Sequence, residues 1–226
     1  MIVYGRQPVR ELLAAGRRPV RRIWATKGAA GEFTGAEVVA SEEVARRAGS
    51  EAHQGVCAET VGYPYAGAAE LLRAEAPFLV ALDEVQDVQN LGAIARTAEC
   101  AGATGLILPE RRSAEVTPAA CKASAGAVEH LRIARVRNLA DFLSEAKGAG
   151  LWCYGAAAEG RHYAEVDYAG GVVLVMGAEG KGLRPRVAKA CDELVSLPIR
   201  GRIESLNVST AAAAILYGIL QSRRRG

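Results

Sequence analysis

From Phe78 onward the chain alternates short, almost wholly apolar runs with helix-length amphipathic segments, and this alternation narrows its fold more than any other feature. The runs "FLVAL", "GLIL" and "VVLVM" contain no charged or hydrogen-bonding side chain. A strand with one wet face alternates apolar and polar residues, so an uninterrupted apolar run needs cover on both faces, as in a parallel sheet with crossover helices. The pattern predicts strands over 78–82, 105–108, 151–154, 172–176 and 193–197, with helices over 91–101, 117–123, 139–146, 185–190 and 208–223. The fold class is therefore α/β with a parallel sheet.

The first third reads as a smaller α/β unit. "GRQPVRELLAAG" places Val9, Leu12 and Leu13 at helical spacing and ends on Gly16, a natural helix stop. "RRIWAT" (21–26) and "GVCAET" (55–60) read as strands. "SEEVARRAG" reads as a helix capped by Ser41 and closed by Gly49. The Gly- and Pro-bearing stretch 62–70 reads as a linker, and the boundary between two units is placed there.

A chain of 226 residues, half of them hydrophobic, buries a full core without staples. Cys57, Cys100, Cys121, Cys153 and Cys191 are odd in number and scattered, with no CxxC pair, so they read as reduced, mostly buried thiols and not as metal ligands. The N-terminus has no apolar signal core and "AAAAILYGIL" is too short to span a bilayer, which predicts a cytoplasmic protein without a membrane segment. A formal charge of +3 does not by itself argue for nucleic acid. The arginine clusters at 17–22, 111–112 and 223–225 read as solvated surface unless a site requires an anion.

Three stretches carry chemistry. "MGAEGKGL" follows an apolar run, but its glycines, Gly177, Gly180 and Gly182, are in the wrong order and too late for a dinucleotide fingerprint. Gly177 and Gly182 have the spacing of a phosphate-cradling loop, yet Leu183 and Arg184 stand where lysine and a hydroxyl are needed. In "DVQNLGAIARTAE", Asn90 suits a helix N-cap, and Arg96 shares a helix face with Gly92 and Glu99. In "SLNVS", Ser205, Leu206 and Asn207 precede an alanine-rich helix, where Ser205 or Asn207 suits a cap.

Taken together, these stretches resemble the SpoU, or TrmH-like, family of RNA ribose 2′-O-methyltransferases in the SPOUT class. The N-x-G-x-x-x-R pattern falls on Asn90, Gly92 and Arg96, the G-x-E-G-x-G loop on Gly177, Glu179, Gly180 and Gly182, and the S-L-N-V-S segment on 205–209. Val88 departs from the family, which commonly has proline there. "YGRQPVRELL", "HQGV" and "RRSAEVTPAACKASAGAVEHLRIARVRNLA" resemble the branch that methylates a guanosine of large-subunit ribosomal RNA.

The resemblance implies an L30e-like RNA-binding domain over 1–66, a linker over 67–77, and over 78–226 a methyltransferase domain with a C-terminal trefoil knot. It also implies S-adenosylmethionine as cofactor, held by Gly177, Leu197, Ile199 and Leu206, and no metal. Arg96 is implied as the catalytic residue, with Glu179 facing it or the target ribose and Asn90, Ser205 and Asn207 holding loops and substrate. Family members are homodimers whose site combines both protomers, and Ile215, Leu216, Ile219 and Leu220 are candidates for that contact. The implied partner is ribosomal RNA or, as the runner-up, transfer RNA. Two rivals stand beside this reading: a nucleotide-dependent dehydrogenase, disfavoured by the glycine order, and a non-catalytic RNA-binding or assembly factor.

Overall fold

The computed structural model describes residues 1–203 and 205–224, so Arg225 of the C-terminal arginine cluster lies outside the described residues. The first unit contains β1 (Ile2–Tyr4), α1 (Arg6–Ala15), β2 (Val20–Ala25), α2 (Lys27–Ala30), β3 (Glu37–Val38), α3 (Ser41–Ala48) and β4 (Val56–Thr60). Its sheet runs β1-β4-β2-β3, antiparallel except for β2 with β3. Gly16 and Gly49 end α1 and α3 in the left-handed conformation that glycine adopts without strain. Ser41 is the first residue of α3, and Ala40, not Ser41, occupies the cap position.

After α4 (Ala68–Leu72) come β5 (Phe78–Asp83), α5 (Val88–Cys100), β6 (Gly105–Pro109), α6 (Pro118–Ala123), β7 (Ile133–Val136), α7 (Leu139–Gly148), β8 (Trp152–His162), β9 (Val172–Gly177), α8 (Pro185–Ala190), β10 (Glu193–Ser196) and α9 (Val208–Arg223). Six strands form one parallel sheet in the order β10-β8-β9-β5-β6-β7, as the apolar runs require. The central strand β5 is buried throughout. Phe78, Val80 and Leu82 join the core packed against Leu91 and Ile94 of α5 and Ile215 and Ile219 of α9. Leu79 and Ala81 point the other way, into the cluster with Leu139, Phe142 and Leu143 of α7. Strand period and double-sided burial thus coincide in one segment.

The structure departs from the sequence pattern at several points. Strand β7 was missed, and β8 continues eight residues past the predicted end at Tyr154, to His162. Within the 62–70 stretch Tyr63 is buried edge-on against Tyr65, the Val116 amide donates to the Tyr65 hydroxyl at 3.0 Å, and Ala66 bridges to Ala134 at the sheet edge. Arg17 is exposed, as expected, but Arg18 is buried and not solvated surface. Arg18 forms a buried bidentate pair with Glu129, and Arg17 donates to the carbonyl of Leu131. Ile215, Leu216 and Ile219 are 0–1% exposed within the chain's own core, so they are not available for contact with a second copy.

Helix α5 starts at Val88, with Asp87 as its cap, accepting from the Gln89 amide at 2.8 Å, and not at Asn90. Position 88 is the first helical residue, where a proline would give up no hydrogen bond, so the family proline and this valine serve equally well. Gly92 lies where α5 crosses α6. A Cβ there would lie 2.4 Å from Ala123 Cβ and 2.8 Å from the Ser124 amide nitrogen. Gly92→Ala should therefore destabilise the fold by about 1–3 kcal/mol, read as a lowered urea midpoint at unchanged slope.

All five cysteines are free. Burial pushes the Cys57 thiol up to about 11 and those of Cys121, Cys153 and Cys191 to about 12, which leaves them un-ionised at neutral pH. Cys100 alone is exposed. A maleimide at pH 7 should therefore label Cys100 first, the half-buried Cys191 more slowly, and the three buried thiols only after unfolding. Early labelling of Cys121 would contradict this packing.

Candidate functional site

The carboxyl ends of β9, β8 and β10 open on a cavity of about 540 Å³, within the range of small-ligand sites. Open α/β sheets place ligands at this end of their strands. One wall is the loop after β9. Its amides and carbonyls close on themselves, with Gly182 N donating to Ala178 O at 2.9 Å and Ala178 N to Gly182 O at 3.1 Å. Gly180 and Gly182 have φ of 73° and 65°, which suit glycine. At Gly177 the reason is proximity: a Cβ would sit 2.2 Å from the Gly182 carbonyl carbon.

A second wall comes from β8. Its pairing with β10 matches Tyr154 and Gly155 to Glu193 and Leu194, then resumes at Arg161 and His162, so residues 156–160 loop out of register. Ala156 to Glu159 line the cavity along this loop. Gly160 permits it, because a Cβ there would meet the Val195 backbone at 2.5 Å. The third wall combines Leu197, Ile199, Ser205 and Leu206 with Val208, Ala211 and Ile215 at the start of α9.

Of the residues singled out from the sequence, Gly177, Glu179, Leu197, Ile199, Ser205 and Leu206 all line this one cavity. Asn207 does not. It caps α9, accepting from the Ser209 amide at 2.8 Å and from the Ser209 hydroxyl at 2.6 Å, and so anchors the helix whose first turns line the third wall. Asn90 is buried in the first turn of α5, and its side-chain amide donates to Glu179 at 3.5 Å, which joins the first motif to the second. Arg96 is exposed on α5 and has no ion pair or hydrogen bond among the described residues. It comes six positions after Asn90, so it lies about 9 Å further along the helix and about 120° around it. Glu179 therefore meets Asn90 and not Arg96, which of the two expected partners leaves the target ribose.

The sequence reading also missed a clamp under the glycine loop. Asp83, at the end of β5, is buried; it accepts from the Arg184 amide at 2.8 Å and from its guanidinium Nε at 2.7 Å. Arg184 reaches Glu84 as well, at 3.4 Å. One carboxylate thus fixes both backbone and side chain where the loop re-enters α8. The pattern "LDE" at the end of an apolar run was the available signal.

A parallel sheet whose carboxyl ends converge on a largely apolar cavity, floored by a glycine turn, defines a ligand-binding α/β domain. The chain belongs to the SpoU rRNA methylase family, whose model matches residues 77–217, and residues 2–66 match the model for RNA 2′-O ribose methyltransferase substrate binding. It is a methyltransferase of that family. It is 42% identical to YacO of Bacillus subtilis, assigned to the TrmH family of tRNA/rRNA methyltransferases, over 76% of this chain and 71% of that protein. An uncharacterized tRNA/rRNA methyltransferase of Mycolicibacterium vanbaalenii is 39% identical over 99% of this chain and 77% of its own length. The crystal structure of the SpoU methyltransferase AviRb from Streptomyces viridochromogenes, with AdoMet bound, superposes with a TM-score of 0.83 at 26% identity, covering 100% of this chain and 91% of that one.

Proposed function

We propose that the protein is an S-adenosylmethionine-dependent RNA ribose 2′-O-methyltransferase acting on a guanosine of large-subunit ribosomal RNA, close to the enzyme RlmB. The observation that carries this reading is that two separate sequence motifs line one cavity and a third is tied to it by the Asn90–Glu179 hydrogen bond. The branch-like segments of the sequence favour ribosomal over transfer RNA.

The lining suits the cofactor. Leu197, Ile199, Leu206 and Ile215 offer apolar walls to an adenine, the 178–182 turn offers backbone polar groups to a ribose and an amino-acid end, and Glu159 and Glu179 place negative charge near a cation. When bound, S-adenosylmethionine supplies a methyl group on a positively charged sulfur, which the ribose 2′-oxygen takes with loss of a proton. Aligning that oxygen is the first demand on the protein, and stabilising its developing charge the second. Arg96 is exposed and able to grip a backbone phosphate beside the target ribose, and its guanidinium stabilises negative charge without acting as a base. Proton transfer then falls to the phosphate or to water. Glu179, held by Asn90, orients the ribose, and Ser205 holds the substrate-side loop. Glu179→Gln should lower turnover about tenfold and weaken cofactor binding as well, since an amide retains shape but loses the charge near the cation.

Residues 1–66 hold the RNA as an L30e-like unit, 67–77 connect, and 78–226 carry the chemistry; the segments that wall the cavity, drawn from 156–159, 176–183, 194–199 and 205–215, are threaded as a trefoil knot. The enzyme is a homodimer in which Arg96 of one copy serves the cavity of the other. Exposed Leu206, Ile203 and Tyr217, not the buried face of α9, supply the apolar contact. The offset of Arg96 from Asn90, the residue that meets Glu179, along and around α5 favours this arrangement.

The test is incubation with methyl-labelled cofactor and ribosomal or transfer RNA, followed by alkaline hydrolysis. Methylation of a 2′-oxygen blocks strand cleavage, so label should appear in alkali-stable dinucleotides from ribosomal RNA. Binding of RNA without any transfer of label would favour a non-catalytic assembly factor instead.

A further inference from the structure

The seam between the first unit and the six-stranded sheet is a buried polar joint. Arg18, between α1 and β2, and Glu129, after α6, each have side chains only 1% exposed. Arg18 Nε donates to Glu129 Oε2 at 3.1 Å, a terminal nitrogen donates to Oε1, and the other reaches the Val61 carbonyl at 3.0 Å. Arg17 donates to the carbonyls of Leu131 at 2.5 Å and Glu129 at 3.2 Å. The Tyr63 hydroxyl lies 2.7 Å from the Leu131 carbonyl and 2.9 Å from that of Val128. Within α1, Glu11 pairs with His130 at 2.7 Å.

The seam also has no slack. Gly126 sits at φ 91°, and a Cβ there would lie 2.6 Å from Glu11 Cβ and 3.1 Å from Pro8 Cα of α1. On the far side of α6, Gly92 brings α5 equally close. From α1 through Gly126 and α6 to α5, which carries Asn90 and Arg96, packing is continuous at backbone distance. Close-packed contacts of this kind transmit displacement and do not absorb it.

We propose that the Arg18–Glu129 pair is a positioning lock, holding the 1–66 unit at one distance and angle from α5 so that RNA seated on that unit presents a single ribose to the cavity. Arg18 and Glu129 are then specificity-determining residues although neither touches the substrate. The inference rests on the proposed role of residues 1–66 in holding RNA. A buried ion pair suits the task because its directional, bidentate geometry tolerates one register, whereas an apolar seam of equal volume tolerates sliding.

The test compares the wild-type chain with the double variant Arg18→Met/Glu129→Leu, which fills the seam with apolar side chains and leaves no orphaned charge. Glu129→Gln is the conservative second variant. Three quantities are read: methylated positions on a long ribosomal RNA fragment, KM and kcat on that fragment and on a short oligonucleotide confined to the cavity, and the inter-unit distance distribution from small-angle scattering. In the double variant the distribution should broaden, label should spread to neighbouring riboses, and KM for the long RNA should rise about tenfold. On the short substrate kcat and KM should stay at wild-type values. Glu129→Gln should fall between.

Unchanged scattering together with label on the same single ribose would overturn the lock, as would equal loss on both substrates. A wild-type protein that methylates no RNA sinks the proposed function. The scattering comparison still decides the lock in that case.

Discussion

Arg96→Ala is expected to lower methyl transfer about 10²–10³-fold, the loss typical of removing one group that stabilises charge in a transition state. Its exposure on α5 and its lack of a partner among the described residues make any effect on stability small, within about 0.5 kcal/mol. A drop in turnover therefore cannot be charged to unfolding. Cofactor affinity by calorimetry should be unchanged, because the cavity walls contain no atom of Arg96. Arg96→Lys should recover only part of the loss: the charge remains, but the fork that grips two phosphate oxygens does not. Turnover near the wild-type level in Arg96→Ala would remove the residue from the mechanism.

Where the sequence could be read, the deciding signal was local. The apolar runs of β5, β6 and β9 need burial on both faces wherever they occur, and Gly16 and Gly49 end helices through their own φ. Strand β7 escaped because "IARV" interleaves Arg135 with apolar residues, as an edge strand can; that arginine lies over the Tyr65 ring. The outer half of β8, "AAAEGRH", has little intrinsic strand preference and is held by β10 through the close approach at Gly160.

Partners far apart in sequence are a different matter. Local pattern offers Asn90 only a cap, and it is the resemblance that has it holding a loop; its partner, Glu179, is 89 residues away. Arg18 was read as surface because its partner, Glu129, is 111 residues away. Partners at such separations exist only once the sheet order brings them together. The cavity residues were nonetheless found, because the resemblance supplied the long-range grouping that periodicity lacks.

Gly177→Ala is the complementary variant. The added Cβ would fall 2.2 Å from the Gly182 carbonyl carbon, 2.4 Å from its oxygen and 2.5 Å from the Leu183 nitrogen. All three are backbone atoms, so no side chain can rotate away, and the turn must open and give up its two hydrogen bonds between Ala178 and Gly182. The expected result is a loss of cofactor affinity of about 10²-fold or more by calorimetry, since the backbone groups of the turn no longer converge. An affinity within threefold of wild type would place the cofactor elsewhere. Mixing this variant with Arg96→Ala then tests the shared site. If Arg96 reaches the partner's cavity, a heterodimer holds one intact pocket facing one intact arginine, and random exchange of subunits restores about a quarter of wild-type activity from two inactive proteins. If Arg96 serves its own cavity, every site in the mixture lacks either the arginine or the turn, and activity stays at the level of the separate variants.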